Sequence, residues 1–302
     1  MTKIKRSLKY KIARALFFLP DPLMLRLEYY AKLKRWPNLK NPQRFTEKLE
    51  HYKAYYRNPE MLRCTDKYLV RQYVSERMGN ESILNTLYQV CDDAAQIDFK
   101  ALPDQFVVKT TDGGDGDNVF ICRDKNTVDW AKTIHMINQW RNQKKYYVTS
   151  REWAYSGIRK SRIIVERYLW EPSNKDGSID DYKFLCYDGK FRFLWVDKNR
   201  YSNHRRGFWN EHLEFLSGVR SDWPTFDEDN IPPLPANIQE MITVAEQLAS
   251  GFPFARIDLY NIQGRIIFGE ITFYPWSGHI QYTPDSFDFD LGKPFNTNYP
   301  KA

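Results

Sequence analysis

Hydrophobic side chains in the first 79 residues recur at the three- to four-residue spacing of α-helices. Residues 3–19 carry one apolar stripe, and Pro20 and Pro22 end that helix before a second apolar and basic segment, Leu23 to Lys34. The helical pattern continues from Pro42 to Gly79. We therefore expect the N-terminal part of the chain to be helical.

The pattern changes after Ile83, where short apolar runs separated by turn residues are typical of β-strands. The predicted strands are Leu87–Cys91, Phe106–Thr110, Val119–Cys122, Arg162–Tyr168, Tyr182–Tyr187 and Phe191–Val196. Two predicted helices, Thr127–Gln143 and Asn237–Ser250, and a hairpin over Phe254–Phe273 complete the order. Helices followed by strand-rich segments predict a multi-lobed α+β enzyme.

The basic residues of the chain are concentrated at its N-terminal end. The first 40 residues hold eleven Lys or Arg and two acidic residues, so the other 262 residues carry a balance of −2 within a total of +7. This distribution argues against nucleic acid as a partner of the body of the protein. A basic amphipathic helix can lie on an anionic membrane, so residues 1–34 are a candidate for peripheral membrane contact. The alternative is that they pack on the body with their lysines in water.

Composition also bears on the cellular compartment. No apolar run approaches the roughly 18 residues of a membrane span, and the run from Ala15 to Leu19 is too short for a secretion signal. The four cysteines are scattered and form no C-x-x-C pair, which favours reduced thiols. We therefore expect a cytoplasmic protein, peripheral at the inner face of the cell membrane if the basic arm binds lipid.

The strongest local signal for chemistry is the hairpin that carries Asp258 and Glu270. Its two β-rich runs, Ala255–Tyr260 and Arg265–Thr272, are joined by a short glycine-containing turn. A three-residue loop pairs Asp258 with Phe268 and makes the two acids diagonal neighbours, about 7–8 Å apart at the backbone, whose carboxylates can converge on a hard cation. In that register the core face holds Ile257, Leu259, Ile267 and Ile271. A two-residue loop puts the acids on opposite faces, and a plain solvent-facing polar face is the other alternative.

Two further segments have the composition of a phosphate site. Lys109 lies near the end of an apolar strand, and the glycine-rich residues 110–118 follow it, so one cation and several backbone N–H groups can reach a polyphosphate. Such loops are also common as plain hairpin turns, and no G-K-[ST] follows, so this is not a Walker loop. A later apolar strand becomes polar at Glu166 and is followed by Asp181.

Taken in order, these pieces resemble the ATP-grasp superfamily, and specifically its TupA-like branch. The matching stretches are Asn41–Leu49, Asp66–Arg71, Leu102–Lys109, Asp181–Phe184, Arg256–Tyr260 and Phe268–Phe273. The resemblance implies an α+β ATP-grasp fold, in which two α+β lobes clamp ATP and a helical, basic N-terminal arm precedes them. The implied segments are a basic arm (1–40), a helical or α+β subdomain (41–105), a small lobe with the glycine-rich loop (106–165) and a C-terminal lobe with the metal-binding hairpin (166–302).

The resemblance also implies roles for individual residues. Those implied for ATP are Lys67 and Lys109 at the phosphates, Gly113, Gly114 and Gly116 in the loop over them, Glu166, Arg167, Tyr168 and Leu169 at the adenine, and Asp181 at the ribose. Lys183 is implied as a second catalytic cation, on the phosphates or the acyl phosphate. Asp258 and Glu270 look like the Mg²⁺ ligands, and Arg256 like a cation that stabilises the transferred phosphoryl group. ATP-grasp ligases commonly have Asn two residues after the metal-binding Glu, whereas this chain has Thr272, whose hydroxyl is the candidate third ligand.

The implied chemistry is phosphorylation of a carboxylate by ATP, followed by attack of an amine on the acyl phosphate to form an amide. Negative charge builds on the transferred group, so metal ions and several cations are a physical requirement. The TupA-like branch is linked to teichuronopeptide and capsule-type polysaccharides, which implies a uronic-acid-bearing glycan and an amino acid or amine as substrates. Candidates for contact with the acidic sugar are Lys198, Arg200, Arg205 and Arg206, in a basic and aromatic segment.

The main alternative is a glycosyltransferase of surface polysaccharide synthesis, whose D-x-D signature binds a metal and a sugar nucleotide. Asp115-Gly116-Asp117 and Asp288-Phe289-Asp290 both match that short pattern. A second alternative is a non-catalytic nucleotide-binding scaffold, for which Thr272 is the first sign of decay. Release of nucleoside diphosphate from a sugar nucleotide, without ATP consumption, distinguishes the glycosyltransferase from the ligase.

Overall fold

The structure is a computed structural model that describes residues 11–113, 118–141, 148, 150–157 and 161–299. The chain divides into two compact units. The large unit comprises Met1–Asn58, Tyr146–Trp153 and Trp170–Ala302, and the small unit comprises Pro59–Lys145 and Ala154–Leu169. The division into four consecutive segments stays a prediction, since the two units follow spatial contacts rather than sequence order.

The described secondary structure is a mixture of helices and antiparallel strands, which confirms the α+β class. The helices are α1 (Asp21–Leu33), α2 (Phe45–Tyr55), α3 (Pro59–Cys64), α4 (Leu69–Met78), α5 (Trp130–Arg141), α6 (Ile238–Ala249) and α7 (Phe287–Gly292). The strands are β1 (Leu87–Cys91), β2 (Phe106–Thr110), β3 (Val119–Cys122), β4 (Ile163–Arg167), β5 (Asp181–Tyr187), β6 (Lys190–Lys198), β7 (Arg205–Trp209), β8 (Phe254–Ile262) and β9 (Arg265–Thr272).

The predicted strands are all present, and their ends agree to within two residues. The sequence pattern missed β7 and α7. Both are short, and β7 combines three polar or small residues with two aromatic ones, so neither gives a long enough periodic signal.

The small unit contains a four-stranded antiparallel sheet in the order β1-β4-β2-β3. One face buries Phe106, Val108, Ile163 and Val165 in a core with Ile137 of α5. Because side chains alternate along a strand, Lys109 of β2 and Glu166 of β4 lie together on the other face. The sheet therefore presents a charged pair on the side away from its core.

The large unit contains a five-stranded antiparallel sheet in the order β7-β6-β5-β8-β9. Helix α6 packs on one face of it, with Met241, Val244 and Leu248 buried. The alternating residues of the central strands point to the opposite face. These residues include Asp181 and Lys183 of β5 and Asp258 of β8.

Aromatic side chains fill much of the space between that second face and helix α2. Phe45 of α2 packs against Phe254 and Tyr187 at ring-centroid distances of 5.2 and 6.4 Å. Trp195 of β6 contacts Phe208 and Trp276 at 5.5 and 5.2 Å. The charged residues of this face therefore lie beside an apolar region that excludes water.

The register of the β8–β9 hairpin differs from both sequence-based alternatives. The loop has two residues, Gln263 and Gly264, with φ of 52° and 83°, as in a type I′ turn. A two-residue loop alone would put Asp258 and Glu270 on opposite faces, but Gly269 forms a β-bulge that shifts the register by one residue. Asp258 therefore pairs directly with Glu270, and the predicted pairing of Asp258 with Phe268 is wrong. Phe268 pairs instead with Leu259, and Ile267 pairs with Tyr260. Phe268 therefore lies on the face predicted for Ile267, and Ile267 lies on the face predicted for Phe268.

Gly269 makes this bulge possible because the backbone of β8 passes very close to it. A Cβ atom at Gly269 would lie 2.9 Å from the carbonyl oxygen of Asp258. We expect Gly269→Ala to destabilise the fold by about 1–3 kcal/mol, the usual cost of overpacking. Urea unfolding measures the loss of stability.

The control for this substitution is Gly264→Asn, at the turn of the same hairpin. Gly264 has open space around it and φ of 83°, which Asn tolerates better than other residues. We expect the Asn variant to unfold at about the same urea concentration as wild type. Equal stability of Gly269→Ala and wild type would contradict a role for the bulge.

The described part of the N-terminal segment belongs to the large unit. Helix α1 buries Leu25, Tyr29 and Leu33. Residues 1–10 of the predicted basic arm lie outside the described residues. Among those that are described, no helix has the length and hydropathy that crossing a membrane requires.

Candidate functional site

A cluster of eight charged side chains lies on the second face of the five-stranded sheet. Strand alternation places Lys183 opposite Asp258, Asp181 opposite Asp197, and Asp197 opposite Arg206. We call this set the charged cluster; its members are Asp181, Lys183, Asp197, Arg200, Arg206, Arg256, Asp258 and Glu270. Four acids and four bases give it no net formal charge, which allows most of these side chains to be buried.

Lys183 is at the centre of the charged cluster. Its Nζ donates to Asp181 and, at 3.0 Å, to Asp258 Oδ2, and it lies 3.8 Å from Asp197 Oδ2. Asp181 also accepts from Arg200. The predicted ribose acid and the predicted phosphate cation are therefore neighbours that neutralise each other.

Asp197 is a member of the charged cluster that the sequence analysis did not find. It is completely buried and accepts two hydrogen bonds from Arg206, at 2.7 and 3.0 Å, and one from His204 at 3.0 Å. Burial alone would raise the pKa of Asp197, but His204, Lys183 and Arg206 together hold it far below the ordinary value. The signal that could have found it is an apolar run ending in an acid, Leu194-Trp195-Val196-Asp197, the same pattern that singled out Glu166.

The predicted metal ligands lie together at the edge of the charged cluster, and Arg256 connects them. Its guanidinium donates to both oxygens of Asp258 at 2.7 Å, to Glu270 Oε1 at 3.0 Å and to Thr272 Oγ1 at 3.2 Å. Thr272 in turn donates to Glu270 Oε1 at 2.8 Å. The hydroxyl at the usual Asn position therefore orients Glu270.

This donor set has the chemistry that Mg²⁺ requires. Two carboxylates and a hydroxyl are hard oxygen donors, and they already hold one cation, the Arg256 guanidinium. The Glu270 side chain is 42% exposed, whereas that of Asp258 is 4% exposed, so the site opens on the Glu270 side. Among the described residues, no group of three or more His, Cys, Asp or Glu side chains is arranged to hold a metal ion. Asp258 and Glu270 are the residues that would hold a magnesium ion here, with Thr272 beside them.

The proton affinity of Asp258 is altered by this environment. Burial is the largest effect, and together with the carboxylates of Asp181 and Glu270 it raises the pKa of Asp258 to about 6, against the opposing charges of Arg256 and Lys183. A cation that binds Asp258 below this pH therefore has to displace a proton.

The small unit brings a second group of predicted residues together. Lys109 Nζ donates to Glu166 Oε2 at 2.9 Å, and Arg71 donates to Glu166 Oε1 at 3.3 Å. Lys67 donates to the carbonyl oxygen of Gly113, and its backbone N–H bonds Thr111 O at 3.0 Å. Both predicted phosphate lysines are thus fixed next to the strand and loop segments with which the resemblance associates them.

The other residues predicted to bind ATP have contacts that do not indicate a particular role. The backbone N–H of Arg167 donates to Thr86 O at 2.9 Å, and its carbonyl accepts from Asn85 Nδ2 at 2.9 Å. Tyr168 and Leu169 follow the end of β4 and are half-buried. Gly114 and Gly116, and with them the Asp115–Asp117 pattern, lie outside the described residues.

Comparison with known families decides the assignment. The sequence model of the TupA-like ATP-grasp family matches residues 47–296, which is most of the chain and includes every described residue of the charged cluster. The chain belongs to the TupA-like ATP-grasp family. The ATP-grasp fold implied by the sequence motifs is thereby confirmed.

Solved structures similar to this TupA-like chain share low identity with it. D-alanine–D-alanine ligase from Bacillus anthracis is 16% identical, with a TM-score of 0.40 over 70% of this chain and 57% of that one. L-amino acid ligase from Bacillus licheniformis is 14% identical, with a TM-score of 0.42 over 89% of this chain and 55% of that one. N5-carboxyaminoimidazole synthetase from Staphylococcus aureus, complexed with ADP, is 13% identical, with a TM-score of 0.40 over 70% and 44%. The chain spans 44–57% of the length of these three structures. None of the curated proteins matches the sequence.

The four basic residues predicted to contact an acidic sugar in this TupA-like protein differ in their exposure. Lys198 pairs with Asp180 at 2.5 Å, and Arg205 lies 3.4 Å from Asp227. The Arg200 side chain is 41% exposed although it contacts Asp181. Arg206, in contrast, is buried in β7 with Asp197 and lies over the Trp276 ring at 4.3 Å. The expected basic loop is therefore partly a strand, and Arg206 stabilises the charged cluster.

The second D-x-D match of the TupA-like chain has a packing role. Asp288 of α7 is buried and accepts hydrogen bonds from the backbone N–H of Thr46 at 3.0 Å and from its hydroxyl at 2.7 Å. Arg35 donates at 2.8 Å to Asp288 Oδ2, the oxygen that also accepts from the Thr46 hydroxyl. Asp290, two residues on, pairs with Lys293. Asp288 and Asp290 therefore contact different residues. Asp288 connects α7 to the start of α2.

Proposed function

We propose that this chain is an ATP- and Mg²⁺-dependent ligase that joins a carboxylate to an amine through an acyl phosphate. The observation that carries the proposal is the pair of directly opposed carboxylates, Asp258 and Glu270, within the charged cluster of an ATP-grasp family member. An opposed pair of this kind suits a divalent cation that accompanies a polyphosphate.

In this proposal Asp258 and Glu270 hold the metal, and Thr272 orients Glu270. The bound Mg²⁺ would supply charge neutralisation at the phosphate oxygens of ATP. Arg256 can then exchange its carboxylate partners for the oxygens of the transferred phosphoryl group, which makes a guanidinium available where negative charge develops. Lys183 stays among three carboxylates and keeps Asp258 and Asp181 in position.

Lys67 and Lys109 are proposed to bind the phosphates, and the backbone of Glu166 to Leu169 to bind the adenine. Supporting this, the Lys67 amine lies at the start of the glycine-rich loop, and Lys109 lies on the sheet face away from the small unit's core. Glu166 pairs with both Lys109 and Arg71, so the three side chains together carry one net positive charge that is available for phosphate.

For the acceptor we propose a uronic-acid-bearing glycan or its precursor, with an amino acid or amine as the second substrate. The support is the family membership together with three partly exposed cations, Lys198, Arg200 and Arg205, whose side chains are 21–41% exposed. Each of these cations pairs with an aspartate in the structure, and a sugar carboxylate would take the place of that partner.

The test is ADP release by the purified protein with ATP and Mg²⁺, a uronic acid or its nucleotide sugar, and a panel of amino acids. Release that requires both the acid and the amine, together with transfer of ¹⁸O from the labelled carboxylate to inorganic phosphate, is expected. Hydroxylamine in place of the amine should give a hydroxamate. Release of nucleoside diphosphate from a sugar nucleotide, with no ATP consumed, would overturn the proposal in favour of a glycosyltransferase.

Metal binding is expected to depend on pH because the pKa of Asp258 is raised to about 6. Above pH 6 the carboxylate is ionised and binds the cation directly. Below pH 6 each binding event displaces a proton, so affinity should fall by about tenfold per pH unit. Titration with Mn²⁺ between pH 5 and 8, with free Mn²⁺ measured by electron paramagnetic resonance, checks this. Asp290→Asn should keep the profile, and equal affinity at pH 5 and pH 7 in wild type would contradict the prediction.

A further inference from the structure

We propose that residues 12–36 form a surface that docks on anionic lipid membranes, independently of the reaction proposed above. Thirteen large hydrophobic side chains are exposed among the described residues, and six of them fall within this 25-residue segment. They are Ile12, Phe18, Leu23, Leu27, Tyr30 and Trp36. Phe18, at 79% exposure, is the most exposed of the thirteen. Such a concentration of exposed apolar side chains indicates an interaction surface.

Helix α1 has two apolar stripes, and only one of them is used by the fold. Leu25, Tyr29 and Leu33 recur every four residues and are buried within the large unit. Leu23, Leu27 and Tyr30 recur at spacings of four and three and are exposed. Trp36 stacks on Tyr30 at a centroid distance of 4.6 Å and extends the exposed stripe beyond the end of the helix.

The charges around the exposed stripe have one sign. Between residues 11 and 40, all the exposed charged side chains are basic. They are Lys11, Arg14, Arg26, Lys32, Lys34 and Lys40. Of the two acids in this range, Asp21 is held by Arg151 at 2.8 Å and by Arg57 at 3.6 Å, and Glu28 is half-buried. The segment therefore combines exposed apolar side chains with a positive field, which complements an anionic headgroup layer.

This combination favours lipid over the other partners that a basic surface can have. Nucleic acid would use the lysines and arginines but offers little to Phe18 or to the exposed leucines. A second copy of the chain would bring two sets of basic side chains together, which is repulsive. Phe, Tyr and Trp beside Lys and Arg are the composition found at the membrane–water interface.

The proposed surface is held in place before any lipid binds. Tyr29 Oη lies 2.9 Å from Thr46 Oγ1, and Arg35 donates to Asp285 at 2.6 Å and to Asp288 at 2.8 Å. Arg151 donates to the carbonyl of Leu16 at 2.9 Å and lies over the Phe17 ring at 4.5 Å, next to Phe18. Docking therefore does not require this segment to fold on the membrane, which reduces the entropic cost of binding.

The experiment is co-sedimentation of the full-length chain with phosphatidylcholine vesicles, with and without phosphatidylglycerol, in the absence of ATP. We expect wild type to bind the anionic vesicles at least about tenfold more strongly than the neutral ones, with weaker binding at high salt. Leu27→Ser/Trp36→Ser should lower the binding to anionic vesicles by about tenfold or more, because two interfacial side chains are lost. Arg26→Glu/Lys34→Glu should have an effect of similar size through charge.

Matched controls separate this surface from general effects. Tyr88→Ser/Ile231→Ser removes two exposed hydrophobic side chains elsewhere, and Lys190→Glu/Arg265→Glu makes the same change in net charge elsewhere. Both controls should bind as wild type does, and gel filtration with thermal unfolding verifies that all variants are folded. Wild-type binding that does not exceed the neutral control, or equal losses in the control variants, overturns the proposal. A dimer that Leu27→Ser/Trp36→Ser dissociates, without vesicle binding, overturns it in favour of a second copy.

Discussion

Asp258→Asn is expected to lower ATP-dependent turnover by about 10²–10³-fold, because weaker metal binding removes a cation that would stabilise the charge developing on the transferred phosphoryl group. Asp258 is opposed to Glu270 across the hairpin and is bonded to Arg256 and Lys183. The amide keeps the shape of the side chain but loses the charge, so it binds a divalent cation poorly and no longer balances two buried bases. Steady-state ADP release at saturating ATP and Mg²⁺ measures the loss.

Asp290→Asn is the matched control, because it makes the same chemical change at a residue of the D-x-D pattern in α7. Asp290 is partly exposed and pairs with Lys293 at 2.7 Å, away from the charged cluster. We expect this variant to keep its activity. Loss of activity in Asp290→Asn with retention in Asp258→Asn would contradict the metal assignment and support the glycosyltransferase alternative.

The β8–β9 hairpin shows which features of the candidate site can be predicted from the sequence. Alternation of apolar and polar residues predicted both strands, and it placed Asp258 and Glu270 near each other. It could not predict the register, because two features compensate: a two-residue turn that separates the acids, and a bulge that brings them back to one face. The bulge depends on contact between Gly269 and the Asp258 carbonyl, which is a property of the paired strands rather than of either strand alone.

Partners of charged residues were harder to predict than their positions. The sequence placed Arg206 in a basic loop for an anionic sugar, but the structure buries it with Asp197, a residue the sequence analysis passed over. Periodicity reports whether a side chain faces the core, whereas ion pairs between strands distant in sequence depend on sheet order. The β5–β8 neighbour relation, which brings Lys183 to Asp258, is a fact of topology that the motif order alone does not give.

The largest effect on stability is expected from Lys53→Met in helix α2. The Lys53 and Glu50 side chains are both completely buried, with Nζ 2.9 Å from Glu50 Oε1, and Nζ also donates to the carbonyl of Ser277 at 2.9 Å. Removing the lysine leaves a buried carboxylate without its cation, which typically costs about 3–5 kcal/mol. It also releases a loop in which Trp276 and Ser277 are held at φ of 47° and 56°.

Two comparisons make this prediction specific. Lys190→Met breaks the Lys190–Glu246 pair, whose lysine is 68% exposed, and should change the free energy of unfolding by less than about 1 kcal/mol. Glu50→Gln/Lys53→Met removes both charges and should recover most of the stability lost in the single variant, because no unpaired buried charge is left. Since Trp276 lies over Arg256 at 5.4 Å, the single variant should also lower turnover. Urea unfolding of the three variants measures the energies, and a Lys53→Met protein within about 1 kcal/mol of wild type would show that the buried pair does not hold this loop.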